Sequence, residues 1–164
     1  MKILVTGGAG YIGSHTCVEL LQEGHQIVVV DNLSNSKETS LQRVQEITGK
    51  PLTFYKADLL NEPAVQAVFE REDIEAVVHF AGLKAVGESV DRPLSYYHNN
   101  VTGTLVLCEV MKRFEVRKLV FSSSATVYGA AEQMPIREDF PLSAMNPYGR
   151  SKLMIEDILR DLYH

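Results

Sequence analysis

The sequence predicts an α/β fold built on a doubly wound parallel sheet, and three observations carry that expectation. Short apolar runs alternate with helix-length segments along the chain. Most of those runs are continuous in Val, Ile, Leu and Phe, as in strands covered on both faces. A glycine-rich turn joins the first run to the first helical segment. Parallel strands need crossovers, which are right-handed almost without exception, so the alternation reads as successive βαβ units.

The elements follow in order. A first strand over Ile3–Val5 leads to a helix over Ile12–Glu23, and a second strand over Ile27–Val30 to a helix over Lys37–Thr48. Strands at Leu52–Lys56 and Ala76–Phe80 precede helices at Pro63–Arg71 and Leu94–Arg113. The fifth strand, Leu119–Ser122, is followed by a helix from Pro147 to Tyr163 that runs on to His164. Asn146 can cap that helix, and Pro147 suits its first turn. A helix after the fifth strand should return to a sixth, and no residues remain to make it. The sheet is therefore expected to be C-terminally incomplete, with an open edge on its fifth strand, and the chain to be part of a larger protein.

Composition narrows the class. The 164 residues suffice for one domain, and 45% hydrophobic with 23% charged residues is ordinary for a globular protein. A net charge of -5, without a Lys/Arg cluster, excludes a nucleic-acid surface. Neither a signal-peptide pattern nor a membrane-length apolar span is visible, so no membrane partner and a cytoplasmic location are expected. Cys17 and Cys108 lack CxxC spacing and read as small hydrophobes in a reducing compartment. His15, His25, His98 and His164 lack metal-ligand spacing, so no metal is expected; His79, closing an apolar strand, reads as core.

The turn Thr6-Gly7-Gly8-Ala9-Gly10-Tyr11-Ile12-Gly13 lies between strand and helix, where a dinucleotide fingerprint belongs. Gly7, Gly10 and Gly13 allow a tight turn, a close backbone approach to a pyrophosphate and close helix–strand packing. The helix start then offers unpaired N–H groups to the phosphates. Asp31 ends the second strand, where a carboxylate can hold both ribose hydroxyls and repel a 2′-phosphate; NAD is expected over NADP. Asp58-Leu59 and Phe80-Ala81-Gly82 end two further strands, at the sheet edge where ligands bind in such folds. Residues 1–164 thus read as an NAD-binding, Rossmann-type domain.

Chemistry is expected at Tyr148-Gly149-Arg150-Ser151-Lys152. Tyr148 and Lys152 lie four apart on a helix and address one ligand. A tyrosine is a poor base at neutral pH, but a neighbouring ammonium and a cationic nicotinamide both favour its anion. Ser122-Ser123-Ser124 ends the fifth strand, where at least one hydroxyl is expected to share a hydrogen bond with a sugar hydroxyl and Tyr148.

The segments TGGAGYIGSHT, DNLSNS, FAGLKAVGES, NNVTGT, FSSSATVYG and NPYGRSK span the chain. Together they resemble the UDP-glucose 4-epimerase family, within the extended short-chain dehydrogenases/reductases. The resemblance implies NAD contacts from Tyr11, Ile12, Asp31, Asn32, Leu33, Ser34, Asn35, Ser36, Asp58, Leu59, Phe80, Ala81, Gly82, Leu83, Lys84 and Asn99. Ser122 is placed with these cofactor residues. Ser124 and Tyr148 would meet the sugar of a UDP-sugar substrate, while Lys152 would bind the nicotinamide ribose and tune Tyr148. By the same resemblance, Tyr148 deprotonates the sugar 4-hydroxyl as C4 gives up its hydride, the 4-keto sugar turns over, and the hydride returns to its other face.

Residue chemistry separates the nearest rivals. Dehydratases of the superfamily carry an Asp-Glu pair where Ala125-Thr126 stands here, and elimination of water needs such acid–base groups. An enzyme acting on an acetamido or uronic acid sugar stays open, as does a non-catalytic NAD-binding module, although such modules tend to lose the tyrosine or lysine. The resemblance also implies a homodimer through helices near 94–113 and 147–163. Leu105, Val106, Cys108 and Met111 would supply apolar surface on one, and Leu153, Met154, Ile158 and Leu159 on the other. Family members continue into a substrate-binding segment, so residues 1–164 alone are expected not to catalyse epimerisation.

Overall fold

The computed structural model describes residues 1–131 and 133–163; His164 lies outside the described residues. The chain forms two compact units, one of Met1–Ala81 with Val106–Ser122, the other of Gly82–Leu105 with the chain from Ser123 onward.

The first unit holds the sheet. Its strands are β1 (Lys2–Thr6), β2 (Gln26–Asp31), β3 (Thr53–Lys56), β4 (Ala76–His79) and β5 (Leu119–Phe121), in the order β3-β2-β1-β4-β5 and all parallel. The expected doubly wound α/β sheet is therefore present, with β1 at its centre. Its helices are α1 (Tyr11–Gln22), α2 (Thr39–Thr48) and α3 (Glu62–Arg71), together with most of α6 (Gly103–Arg113).

Alternation along the central strands builds two cores. Leu4, Val28, Val30 and Val77 face Val65, Val68 and Phe69 of α3 and Leu107, Val110 and Met111 of α6. Ile3, Val5, Ile27 and Val29 face Cys17 and Leu21 of α1 and Leu41 and Val44 of α2. Each such aliphatic side chain contributes about 1.5–3 kcal/mol by leaving water. Met111 was expected on an apolar outer face; the structure instead packs it in the first of these cores, on the side of α6 that carries Leu107 and Val110. His79 is core as expected, buried with its Nδ1 2.6 Å from the Thr6 hydroxyl. Among the described residues β5 pairs only with β4, and Val120 on it is 63% exposed.

The second unit contains α4 (Val86–Asp91), α5 (Pro93–Tyr96), a widened π-helical turn over Tyr97–Thr102, the start of α6, a 3₁₀ turn over Ala125–Tyr128, and α7 (Pro147–Tyr163). Helices α4, α5 and α7 pack on one another. Asn146 caps α7 as expected, its Oδ1 accepting the Gly149 N–H at 2.8 Å. The helix expected over Leu94–Arg113 is not one regular α-helix. Its middle opens into the π turn, which re-aims Asn99 and Asn100 away from the register an α-helix would impose.

Candidate functional site

The first unit gathers the dinucleotide fingerprint at the C-terminal ends of its strands. Gly7 has a φ of +70°, and a β-carbon on it would lie 2.6 Å from the Ala81 nitrogen. A β-carbon on Gly13 would strike the Gly7 carbonyl oxygen. Turn and helix α1 therefore lie as close as backbone allows. Gly10 leads into α1 without a side-chain cap, so no side chain blocks its first-turn amides; Tyr11 is 76% exposed and Ile12 is exposed beside it. Open amides at a helix start attract anionic oxygen.

The Asp31 carboxylate is pinned beside that loop. Its Oδ2 accepts the Ala9 N–H at 3.1 Å, and its Oδ1 accepts the Leu33 N–H and the Ser36 hydroxyl, each at 2.8 Å. Leu33 adopts a φ of 60° to donate this bond. Asn32 Nδ2 donates to Asp58 Oδ2 at 2.9 Å, while Asp58 Oδ1 accepts the Leu60 N–H at 2.9 Å, which sets Leu59 beside the carboxylate. Ser34 and Asn35 are exposed on the same turn. Phe80 N–H donates to the Thr6 carbonyl and Ala81 N–H to the Thr6 hydroxyl, so the end of β4 is tied to the end of β1. Ser122 N–H donates to the His79 carbonyl, placing Ser122 at the end of β5. Backbone space that one methyl would fill, an uncapped helix start and a fixed carboxylate together fit a dinucleotide.

The second unit contains Gly82, Leu83, Lys84, Asn99, Ser124, Tyr148 and Lys152. Lys152 is 5% exposed, and burial pushes its ammonium down to about 8. A β-carbon on Gly82 would lie 3.7 Å from the Lys152 Nζ and 3.2 Å from the Asn100 Oδ1, so glycine keeps this wall open. Tyr148, half-buried, stands one helical turn before Lys152, and its carbonyl accepts the Ser151 hydroxyl at 2.7 Å. Ser124 caps the 3₁₀ turn: its Oγ accepts the Thr126 N–H at 3.2 Å and lies 2.9 Å from Thr126 Oγ1. Ser123 donates a hydrogen bond to Glu156 on α7, which ties the serine segment to the helix bearing Tyr148 and Lys152.

Two residues that sequence reasoning missed hold this cluster. Asn100, almost wholly buried, accepts the Leu83 N–H at 2.8 Å and donates to the Leu83 carbonyl at 2.9 Å and to Ser151 Oγ at 3.1 Å. It also accepts from Asn99 at 2.9 Å, so Asn99 is oriented through it. Tyr96 donates to Glu88 at 2.7 Å and accepts the Ala85 N–H at 3.1 Å, fixing the backbone just after Lys84; burial pushes its hydroxyl up to about 12. The consecutive amides Asn99-Asn100 inside a helical stretch were the signal that could have found Asn100. Among the described residues no group of His, Cys, Asp or Glu could hold a metal ion, and no helix is long and apolar enough to cross a membrane.

Residues 3–163 match the family described as the NAD dependent epimerase/dehydratase family. The chain is 70% identical over 163 residues to a UDP-glucose 4-epimerase of Bacillus subtilis, covering 99% of this chain and 48% of that protein. It superposes with a TM-score of 0.97 at 52% identity on UDP-glucose 4-epimerase from Bifidobacterium longum, solved in complex with NAD+ and UDP. That likeness covers 99% of this chain and 49% of the other. The UDP-Glc/GlcNAc 4-epimerase from Campylobacter jejuni gives 0.92 at 44% identity, covering 98% of this chain and 48% of that one. The chain spans about half the length of the curated relatives it matches.

Proposed function

The chain belongs to the NAD dependent epimerase/dehydratase family, and from that premise we propose that it forms the cofactor-holding part of an enzyme inverting C4 of a UDP-hexose, interconverting UDP-glucose and UDP-galactose. The observation that carries this reading is the buried Lys152 one turn from Tyr148, in the same unit as the fixed Ser124 hydroxyl.

NAD, when bound, supplies the centre that accepts a hydride from C4 and returns it. The residues of the chain do the rest. The open amides at the start of α1, with Gly7, Gly10 and Gly13, hold the pyrophosphate, and Asp31 receives the ribose hydroxyls. Asp58 and Leu59 border the adenine; Phe80, Ala81, Gly82, Leu83, Lys84 and Asn99 line the backbone side, with Ser122 at the strand end. Lys152 holds the nicotinamide ribose one helical turn from Tyr148. Tyr148 takes the proton from the sugar 4-hydroxyl and gives it back after the keto sugar has turned over. Ser124 keeps that sugar oxygen in place. Reduction undoes oxidation within one turnover, so no second redox substrate is required.

UDP and the far side of the sugar are held by chain outside residues 1–164, in keeping with relatives of twice this length. Residues 1–164 alone therefore bind NAD weakly and do not convert UDP-galactose. The Campylobacter neighbour, which by its description handles GlcNAc as well, keeps an acetamido sugar as a second substrate scope. The protein works in the cytoplasm, in keeping with its free thiols Cys17 and Cys108, and as a homodimer through α6 and α7, where Leu105 and Met154 are exposed.

Conversion of UDP-galactose by the full-length protein tests this reading directly. Tyr148→Phe should keep NAD bound while lowering turnover by about 10²–10⁴-fold, the usual cost of removing a positioned acid/base. Wild-type protein inert on UDP-galactose sinks the activity, and near-normal turnover of the variant moves the proton to another residue.

A further inference from the structure

The oxygen assigned to Ser124 changes character in the proposed reaction. As a 4-hydroxyl it donates and accepts hydrogen bonds; as a ketone it only accepts. A side chain that stays bonded to it must offer a lone pair at one stage and a proton at the next.

The Ser124 hydroxyl has little freedom to do so. Its Oγ already accepts the Thr126 N–H at 3.2 Å, which leaves one acceptor position and one O–H. Thr126 Oγ1, at 2.9 Å, engages one of these, and either oxygen can be the donor. When Ser124 donates to Thr126, its remaining lone pair is left for the ligand. When Thr126 donates instead, the Ser124 proton is released to the ligand. Thr126 itself is held still. Its carbonyl accepts the Gly129 N–H at 3.3 Å, and a β-carbon on Gly149 would lie 2.8 Å from that carbonyl and 3.2 Å from Oγ1. A β-branched side chain so crowded has few χ1 rotamers open to it. An ionised carboxylate at this position would only accept, and would fix Ser124 as its donor.

We propose that Thr126 is a positioning residue that lets Ser124 reverse the direction of its hydrogen bond as C4 passes between alcohol and ketone. The reversal rotates two O–H bonds; no proton leaves its oxygen and no covalent bond changes. The role rests on the assignment of Ser124 to the sugar oxygen.

The test uses the full-length protein, UDP-galactose as substrate, and Thr126→Val, which keeps the shape and removes the hydroxyl. Its kcat should fall about tenfold, the scale of one lost hydrogen bond. KM for UDP-galactose, NAD affinity and melting temperature should stay near wild type. Thr126→Ser should restore kcat to within about threefold, and Thr126→Ala should reproduce the loss where valine does not fold. Ser124→Ala combined with Thr126→Val should be no slower than Ser124→Ala alone, because Thr126 acts through Ser124. An active wild type with normal kcat in both Thr126→Val and Thr126→Ala overturns the role of Thr126 alone, as does a loss that adds in full to that of Ser124→Ala. Inactive wild-type protein overturns the assigned reaction and this role together.

Discussion

Asp31 and Lys152 show how much a single charge is shaped before any ligand arrives. Three donors hold the Asp31 carboxylate at the tip of β2, so its orientation does not depend on a bound ribose. A fixed negative charge there repels a 2′-phosphate, and titration of the full-length protein should show tighter binding of NAD than of NADP. Equal affinity, or tighter NADP, would refute the assignment. Lys152 carries a cost that depends on pH. Burial lowers it to about 8, whereas a free lysine sits at about 10.4. Between those values the unfolded chain binds more protons, so stability of the ligand-free protein rises with pH through that window. Below about pH 8 both states are protonated and the full cost of burying the ammonium is present, about 3 kcal/mol at 1.36 kcal/mol per unit. Lys152→Met should therefore remove that pH dependence, so that its stability relative to wild type falls from about pH 8 towards pH 10, as read by urea unfolding at several pH values. A stability difference independent of pH would mean that the lysine does not titrate with folding. Asp31, Tyr148 and Lys152 were legible in the sequence because their spacing is local. Asn100 was not, since its partners Leu83 and Ser151 lie 17 and 51 residues away in the chain.

The glycine turn and the helix after it form the element most fully specified by local sequence. Gly13 faces the Gly7 carbonyl with no space for a methyl group, and overpacking of this kind costs about 1–3 kcal/mol. Gly13→Ala should lower the melting temperature and weaken NAD binding together; unchanged NAD affinity would show that the turn can relax around the methyl. The strands were readable for a different reason. Burial on both faces leaves runs such as Ile27–Val30 with no polar interruption. Helix α4 escaped notice because it has six residues and contains Gly87, too short and too broken for a periodic signal. The segment after Leu94 carries a helical pattern but not the reason for its widened turn. Within that turn Asn100 is bonded twice to the Leu83 backbone, a tertiary contact with no local trace.

At the scale of the molecule, the apolar residues left outward on α6 and α7 set the expectation for assembly. Leu105 is 41% and Met154 46% exposed, and sedimentation of the full-length protein at micromolar concentration should show a dimer. A clean monomer would leave those side chains without the partner assigned to them. The sheet order has a consequence of another kind, one of time. Of the described strands β1 is made before the others, yet it lies in the middle of their order, bonded on one side to β2 and on the other to β4. A ribosome adds about 5–20 residues per second, so about 2–10 s separate the completion of β2 from that of β4. Through that interval the nascent chain presents the second edge of Ile3–Thr6 unpaired, and a strand flanked on both sides in the folded sheet is for those seconds an open template for pairing with a neighbour.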